Sequence, residues 1–355
     1  MQILEENSKF IDPRSVPPKQ FLQEIVKYGV SAGNAHRLIG AVVGKGNLNP
    51  GMWTSEGIVN KKISSSLQDL PSLKISEVLT SPTDGFQKII FETFDGHKIE
   101  TVIIPLLKEN TVSICLSSQV GCVMACSFCA TARMPNRRNL KAWEIVDQMH
   151  QARTVAAKNG KKVTSAVFMG MGEPFLNYDN VLTAAELISY PVLNAIRSKA
   201  ITISTVGMLK EIIKFTNEKR PFRLSISLGA ATDEKRARLV PVAARTPVKE
   251  IMAAARLYAI SRNDRINLSY VCISNENIFE EDAKALGELI GDTKVRLDLI
   301  EVTDTSGKHK RPSNEELKFF RDKLNIYLRQ PVVRRYSGGA DIRAACGTLS
   351  GGSAL

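Results

Sequence analysis

Between residues 111 and 330 the chain alternates two spacings of apolar residues. Short β-branched runs read as buried strands: TVSICLSS (111–118), VTSAVFMG (163–170), AITIST (200–205), FRLSISL (222–228), INLSYVCIS (266–274) and VRLDLIEV (295–302). Each precedes a stretch with apolar positions three and four apart, over 139–159, 178–190, 209–218, 247–261, 279–290 and 313–328. Ser313, three residues before Glu316, predicts a capping box at the start of the last one. Six strand–helix units in succession predict an α/β fold with a parallel sheet and right-handed crossovers. Six is short of the eight of a closed barrel, so the expected architecture is a partial (β/α)6 barrel. Its chemistry belongs at the C-terminal ends of the strands.

The pattern before residue 111 differs. Residues 14–80 read as short helices broken by Gly, Pro and Ser, and predict a small helical accessory domain over 1–85. FQKIIFETFDGHKIETVIIPL, with Asp95-Gly96 as its turn, predicts a β-hairpin over 86–110 that extends the edge of the main sheet. The barrel then occupies 111–330. Residues 331–355 are expected to form a strand and a glycine-rich loop, mobile enough to move its cysteine, Cys346.

Composition changes this picture only through charge. The balance of 48 Lys+Arg against 36 Asp+Glu gives +12, which favours a polyanionic partner or, more blandly, a basic soluble surface. Basic residues cluster at Arg133, Arg137, Arg138 and Lys141, at Lys235, Arg236 and Arg238, at Lys308, Lys310 and Arg311, and at Arg334 and Arg335. The start, MQILEENSKF, lacks the apolar core of a secretory signal, and no apolar run is long enough to span a bilayer. A cytoplasmic protein without membrane contact is expected.

Three of the six cysteines fall in GCVMACSFCAT, spaced C-x3-C-x2-C in the loop after the first barrel strand. Thiols this close in a cytoplasmic chain point to metal rather than to disulfides. Structural zinc takes four protein ligands, and no fourth Cys or His lies nearby. Three thiolates from Cys122, Cys126 and Cys129 suit a 4Fe–4S cluster with one iron left open. Cys115 and Cys272 sit in apolar strands, where core packing is the ordinary reading. The four histidines show no ligand spacing.

The C-x3-C-x2-C loop with Phe128 before its last cysteine resembles that of radical S-adenosylmethionine (SAM) enzymes, and FMGMGEP resembles their glycine-rich SAM contact. The set CLSSQVGC, FCAT, RNL, GMGEP, ISTVG, RPS and DIRAACG, in order over most of 98–352, resembles the RlmN/Cfr family of radical SAM RNA (adenine) methyltransferases. The resemblance implies a radical SAM barrel with Cys122, Cys126 and Cys129 on the cluster, and Gly172, Glu173, Ser204, Ser227 and Leu228 at SAM. It implies that Cys346 is methylated first, that Cys115 resolves the covalent RNA adduct as a disulfide, and that Glu100 accepts a proton. Two SAM per turnover are implied, with 23S rRNA as substrate, tRNA as a second one, and a donor such as flavodoxin with its reductase. GMGEP, with Pro174, leans towards carbon 2 of adenine over carbon 8. A monomer is expected. The alternative is a radical SAM enzyme of another reaction class on the same scaffold.

Three positions depart from the family pattern, one of them Ala243 in VPVAART, which stands where an asparagine is usual. Gly229 stands where a histidine is usual, and Thr303 where an asparagine is usual, with Asp304 next to it as a candidate to compensate. Each lost polar contact is worth about 0.5–1.5 kcal/mol.

Overall fold

The computed structural model describes residues 10–352 apart from Ser66 and Leu193, so residues 1–9 of the predicted accessory domain lie outside the described residues. That domain consists of α1 (Pro18–Ile25), α2 (Ala32–Ile39), α3 (Pro50–Ser55) and α4 (Lys61–Ser64), with a π-helical turn at Gly40–Gly44. Ser31, Asn49 and Asn60 start three of these helices, each side chain accepting the backbone N–H three residues on. Trp53 fills the middle of the unit and donates its indole N–H to the Asn47 carbonyl at 2.9 Å. A buried Arg14 fastens the unit to the barrel. It pairs with Asp12 at 2.8 Å and Asp147 at 3.6 Å, and lies over the Trp143 ring.

The sheet begins earlier than the hydrophobic pattern implied. Lys74–Thr80, grouped above with the helical stretches, is strand β1, and it pairs antiparallel with β2 (Gln87–Glu92). Its Ile75 and Val78 are both exposed, so no in–out alternation marks it; the neighbour it pairs with does. The predicted hairpin is present, with β2 antiparallel to β3 (Lys98–Pro105), which in turn runs antiparallel to β4 (Thr111–Cys115). The hairpin is thus the middle of a meander.

After β4 come the two-residue strands β5 (Gln119–Val120) and β6 (Arg138–Asn139), then α5 (Ala142–Lys158), β7 (Lys162–Phe168), α6 (Tyr178–Ser189), β8 (Ile201–Thr205), α7 (Leu209–Asn217) and β9 (Arg223–Ser227). The remainder is α8 (Asp233–Leu239), α9 (Val248–Arg262), β10 (Ile266–Cys272), α10 (Glu280–Ile290), β11 (Val295–Glu301), α11 (Asn314–Tyr327) and β12 (Val332–Arg335). The ten-stranded sheet runs β1-β2-β3-β4-β7-β8-β9-β10-β11-β12, parallel from β4 onward. Its two edges do not meet, so the barrel is partial. The Ser313–Glu316 capping box is formed, with the Glu316 N–H on Ser313 at 3.2 Å and the Ser313 N–H on Glu316 at 2.7 Å. Helices cover the parallel strands with faces such as Ile145, Met149 and Ala152 of α5. Among the described residues no helix is long and apolar enough to cross a membrane.

Charge is less free than the sequence count suggested. Arg236 is fully buried, Lys235 pairs with Asp282 at 2.7 Å, and Arg311 and Arg334 both pair with Glu301 at 2.5 Å. Arg138 holds Asp95 and Glu144. These members of the basic clusters serve the fold first.

Candidate active site

A cavity of about 1410 Å³, counting its open mouth, lies over the C-terminal ends of the parallel strands. Cys115, Cys122, Cys126, Cys129, Gly172, Glu173, Ser204, Ser227, Thr303 and Cys346 all line it. Residues separated by up to 231 positions are brought together by the strand ends that carry them.

Three of the singled-out residues are not on the wall. Leu228 is a core side chain whose carbonyl is taken by the Arg236 guanidinium. Gly229 faces α8 and the loop after β10, and its carbonyl accepts the Asn277 amide at 3.1 Å. Glu100 is buried within β3, with partners described below. Asp304, the candidate to compensate for Thr303, is also occupied: its carboxylate accepts the N–H groups of Ser306 and His309, both at 2.9 Å. Cys272 is fully buried in β10, as core packing predicts.

The cysteine loop is held at its ends and in its middle. The β5–β6 ladder closes residues 121–137 into a loop. Within it the Ser127 N–H donates to the Leu239 carbonyl at 3.0 Å, and the Cys129 N–H to the Cys126 carbonyl at 3.1 Å. Ser127 also meets the Nε2 of buried His309 at 2.9 Å, whose Nδ1 is 2.6 Å from Glu276, while the His309 ring packs edge-on against Phe128. His309 lies 182 residues from Ser127 in the loop it braces, so no local spacing marks it.

Burial pushes the Cys122 thiol up to about 12 and the Cys126 thiol well above its usual range, and the neighbouring thiols raise both further. Two thiols so buried become thiolates when a metal supplies positive charge. Among the described residues no three His, Cys, Asp or Glu side chains converge as a single ion requires. Cys122, Cys126 and Cys129 line one cavity, and three thiolates suit a 4Fe–4S cluster with one iron left open. The trio fits a 4Fe–4S cluster. Arg236, buried beside it, donates to the Val206 and Leu228 carbonyls and supplies a cation facing Cys126.

Gly172 and Glu173 form the next part of the wall. A Cβ on Gly172 would come within 2.6 Å of Gln119, and its φ of +99° suits glycine, so the close approach admits no side chain. Glu173 is buried and accepts the Phe175 and Val206 N–H groups, each at 2.9 Å. Burial pushes its carboxyl up to about 7 against those bonds. Among the described residues no cationic side chain pairs with this carboxylate.

Cys115 ends β4 and is buried; Cys346 is exposed on the C-terminal segment. Burial pushes the Cys115 thiol up to about 12, the Cys346 sulfur raises it further, and Arg335 at the end of β12 pulls it down. Arg335, on the same wall, was legible only as one of a basic pair. All six cysteines are free thiols.

Comparison with known proteins agrees with this geometry. Residues 116–287 match the radical SAM superfamily model. The chain is 45% identical over 282 residues to a probable RNA methyltransferase of Myxococcus xanthus, covering 79% of this chain and 77% of that protein. It is 33% identical to a probable dual-specificity RNA methyltransferase RlmN of Pseudothermotoga lettingae, covering 94% and 96%. The chain belongs to the RlmN family of radical SAM RNA methyltransferases. A solved radical SAM methyltransferase from Sphaerobacter thermophilus superposes with a TM-score of 0.87 at 29% identity, covering 96% of this chain and all of that one. An RlmN-family enzyme uses a 4Fe–4S cluster and SAM, and the thiol trio and the Glu173 carboxylate are the groups here that suit them.

The C-terminal segment departs from the mobile loop expected of it. Ala344, Ala345, Thr348, Leu349 and Ser350 are buried around the exposed Cys346. The Ala130 N–H donates to the Gly347 carbonyl and the Thr131 hydroxyl to the Leu349 carbonyl, both at 2.7 Å, tying the segment to the cysteine loop. Gly338 is small for contact rather than for freedom, since a Cβ there would lie 2.4 Å from Phe86. Cys346 stands on a fastened strap.

Proposed function

We propose that this enzyme methylates a ring carbon of adenine in 23S rRNA, carbon 2 in preference to carbon 8, with tRNA as a second substrate. One observation carries the reading: two thiols outside the cluster trio, Cys115 and Cys346, share the cavity with that trio and with Glu173. A methyl transfer by simple displacement needs neither, because the ring carbon is electrophilic and does not attack a sulfonium. A covalent route needs both. The relative from Pseudothermotoga lettingae is named a probable dual-specificity RNA methyltransferase.

When bound by Cys122, Cys126 and Cys129, the cluster supplies the electron that turns SAM into a hydrogen-abstracting reagent. The protein's thiols do the rest. Cys346 Sγ loses its proton and takes the methyl group of a first SAM, releasing S-adenosylhomocysteine. After a second SAM removes one hydrogen atom, the carbon on Cys346 bonds to the adenine ring carbon and joins RNA to protein; the adduct then gives up one electron, for which the oxidised cluster would be the acceptor, and the ring-carbon proton goes to a base. The Cys115 thiolate bonds to Cys346 Sγ as the sulfur–carbon bond breaks, the released carbon takes up a proton to become the methyl group, and a reductant reopens the disulfide. The enzyme acts as a cytoplasmic monomer supplied by a flavodoxin and its reductase. Mass spectrometry of rRNA and tRNA from a strain lacking the gene and one expressing it tests the reading. A gain of 2-methyladenosine is expected; no gain of any methyladenosine sinks it.

Glu173 gives the site a pH dependence. The ionised carboxylate attracts the SAM ammonium, and without that partner it protonates near pH 7. SAM affinity, read by calorimetry on the loaded protein, should therefore fall as pH drops, by about tenfold from pH 8 to pH 6. Glu173→Gln should bind SAM weakly and flatten the profile. An unchanged profile would remove Glu173 from the ammonium site.

A further inference from the structure

Glu100 lies mid-strand in β3 with no exposed surface, and both of its carboxylate oxygens hold partners. One oxygen accepts the Ser350 N–H at 2.9 Å. The other accepts the Gly352 N–H at 3.0 Å and stands 3.2 Å from the ammonium of Lys88, a buried residue on the neighbouring strand β2. That same ammonium donates to the Arg343 carbonyl at 3.2 Å. One buried ion pair therefore grips the chain three residues before Cys346 and again four and six residues after it.

The meander that carries the pair also holds the start of the segment. The Asp84 carboxylate accepts the Gly339 N–H at 2.8 Å, and the Ser81 hydroxyl donates to Asp341 at 2.9 Å. Five of the contacts that fix the segment thus come from β2, β3 and the turn between β1 and β2, which contribute no thiol to the cavity. Glu100 itself does not line that cavity.

We infer that Glu100, with Lys88, is a positioning residue that fixes where Cys346 stands over the cavity, and that it does not take a proton from the substrate. A carboxylate holding two backbone N–H groups and an ammonium has most of its lone pairs committed to ordering the strap, and it does not face the cavity where the substrate would sit. The importance of Cys346's position rests on the reading above; the latch itself does not.

The test uses the full-length protein and two variants. Glu100→Gln removes the charge. Ser350→Pro removes one donor and leaves the carboxylate, and so its capacity to act as a base, intact. Amide hydrogen exchange over 343–352, without SAM or RNA, should speed up by about tenfold in both, while thermal midpoints check that each variant folds. With SAM, both should slow the appearance of S-methylated Cys346 in the intact mass. Unchanged exchange in Glu100→Gln overturns the latch. So does a Glu100→Gln enzyme that methylates Cys346 normally but accumulates RNA-linked protein, with Ser350→Pro behaving as wild type, because that is the signature of a lost proton acceptor. If Cys346 is never methylated even in wild type, the relay fails while the exchange result still decides the latch.

Discussion

Cys346→Ala should lower methyl transfer to RNA by roughly 10⁴-fold or more, the scale of losing a covalent nucleophile, while leaving iron loading and folding unchanged. The side chain is exposed, so its truncation removes little packing and should change stability by no more than about 0.5 kcal/mol. None of the hydrogen bonds that hold the strap uses the Cys346 sulfur: the Cys346 N–H donates to Ser337, and the Gly347 and Leu349 carbonyls accept from the cysteine loop. The strap should therefore keep its place without the thiol. Iron per chain, cluster absorbance and thermal midpoint check one half of the expectation. Mass spectrometry of the RNA checks the other. A variant that still methylates adenine would show that the methyl group reaches RNA without passing through this thiol.

The cysteine loop, the six strand–helix units and the Ser313 cap were legible because each is written in residues close along the chain. The spacing of Cys122, Cys126 and Cys129 is a local fact, and so is the alternation of strand and helix periods. Position on the wall was less legible. Ser227 and Leu228 are neighbours in sequence, yet the period of two along a strand end leaves one at the cavity and the other in the core. Partners far apart in sequence were invisible: His309 with Ser127, Arg236 with the carbonyls of Val206 and Leu228, and Lys88 with Arg343. Arg236 was also disguised by composition, since a short charged helix reads as surface until the chain folds over it. The glycines of the C-terminal segment suggested mobility for a similar reason. Without Phe86 and Asp84 in view, a glycine that admits a close neighbour cannot be told from one that permits motion.

Cys115→Ala tests the opposite end of the relay and should fail later in the cycle. Its thiol is buried at the end of β4, so the loss of one sulfur costs about 1 kcal/mol and the protein should fold. Cys346, the cluster ligands and Glu173 are untouched, so Cys346 should still acquire its methyl group and bond to RNA. Release then lacks its nucleophile. An RNA–protein species stable to denaturant should accumulate to nearly one per chain, and Cys115→Ala combined with Cys346→Ala should not form it. The environment of Cys115 adds a rate signature in the wild-type enzyme. With its thiol pushed up to about 12, only about one molecule in 10⁵ is thiolate at pH 7, so adduct decay should quicken by up to tenfold per pH unit. Arg335 works against the burial, and it sits where it can stabilise the thiolate as that charge forms. Decay that ignores pH between 7 and 9 would mean that another group cleaves the adduct. Failure of the Cys115→Ala protein to trap RNA would mean that Cys115, like Cys272, is a packed core residue.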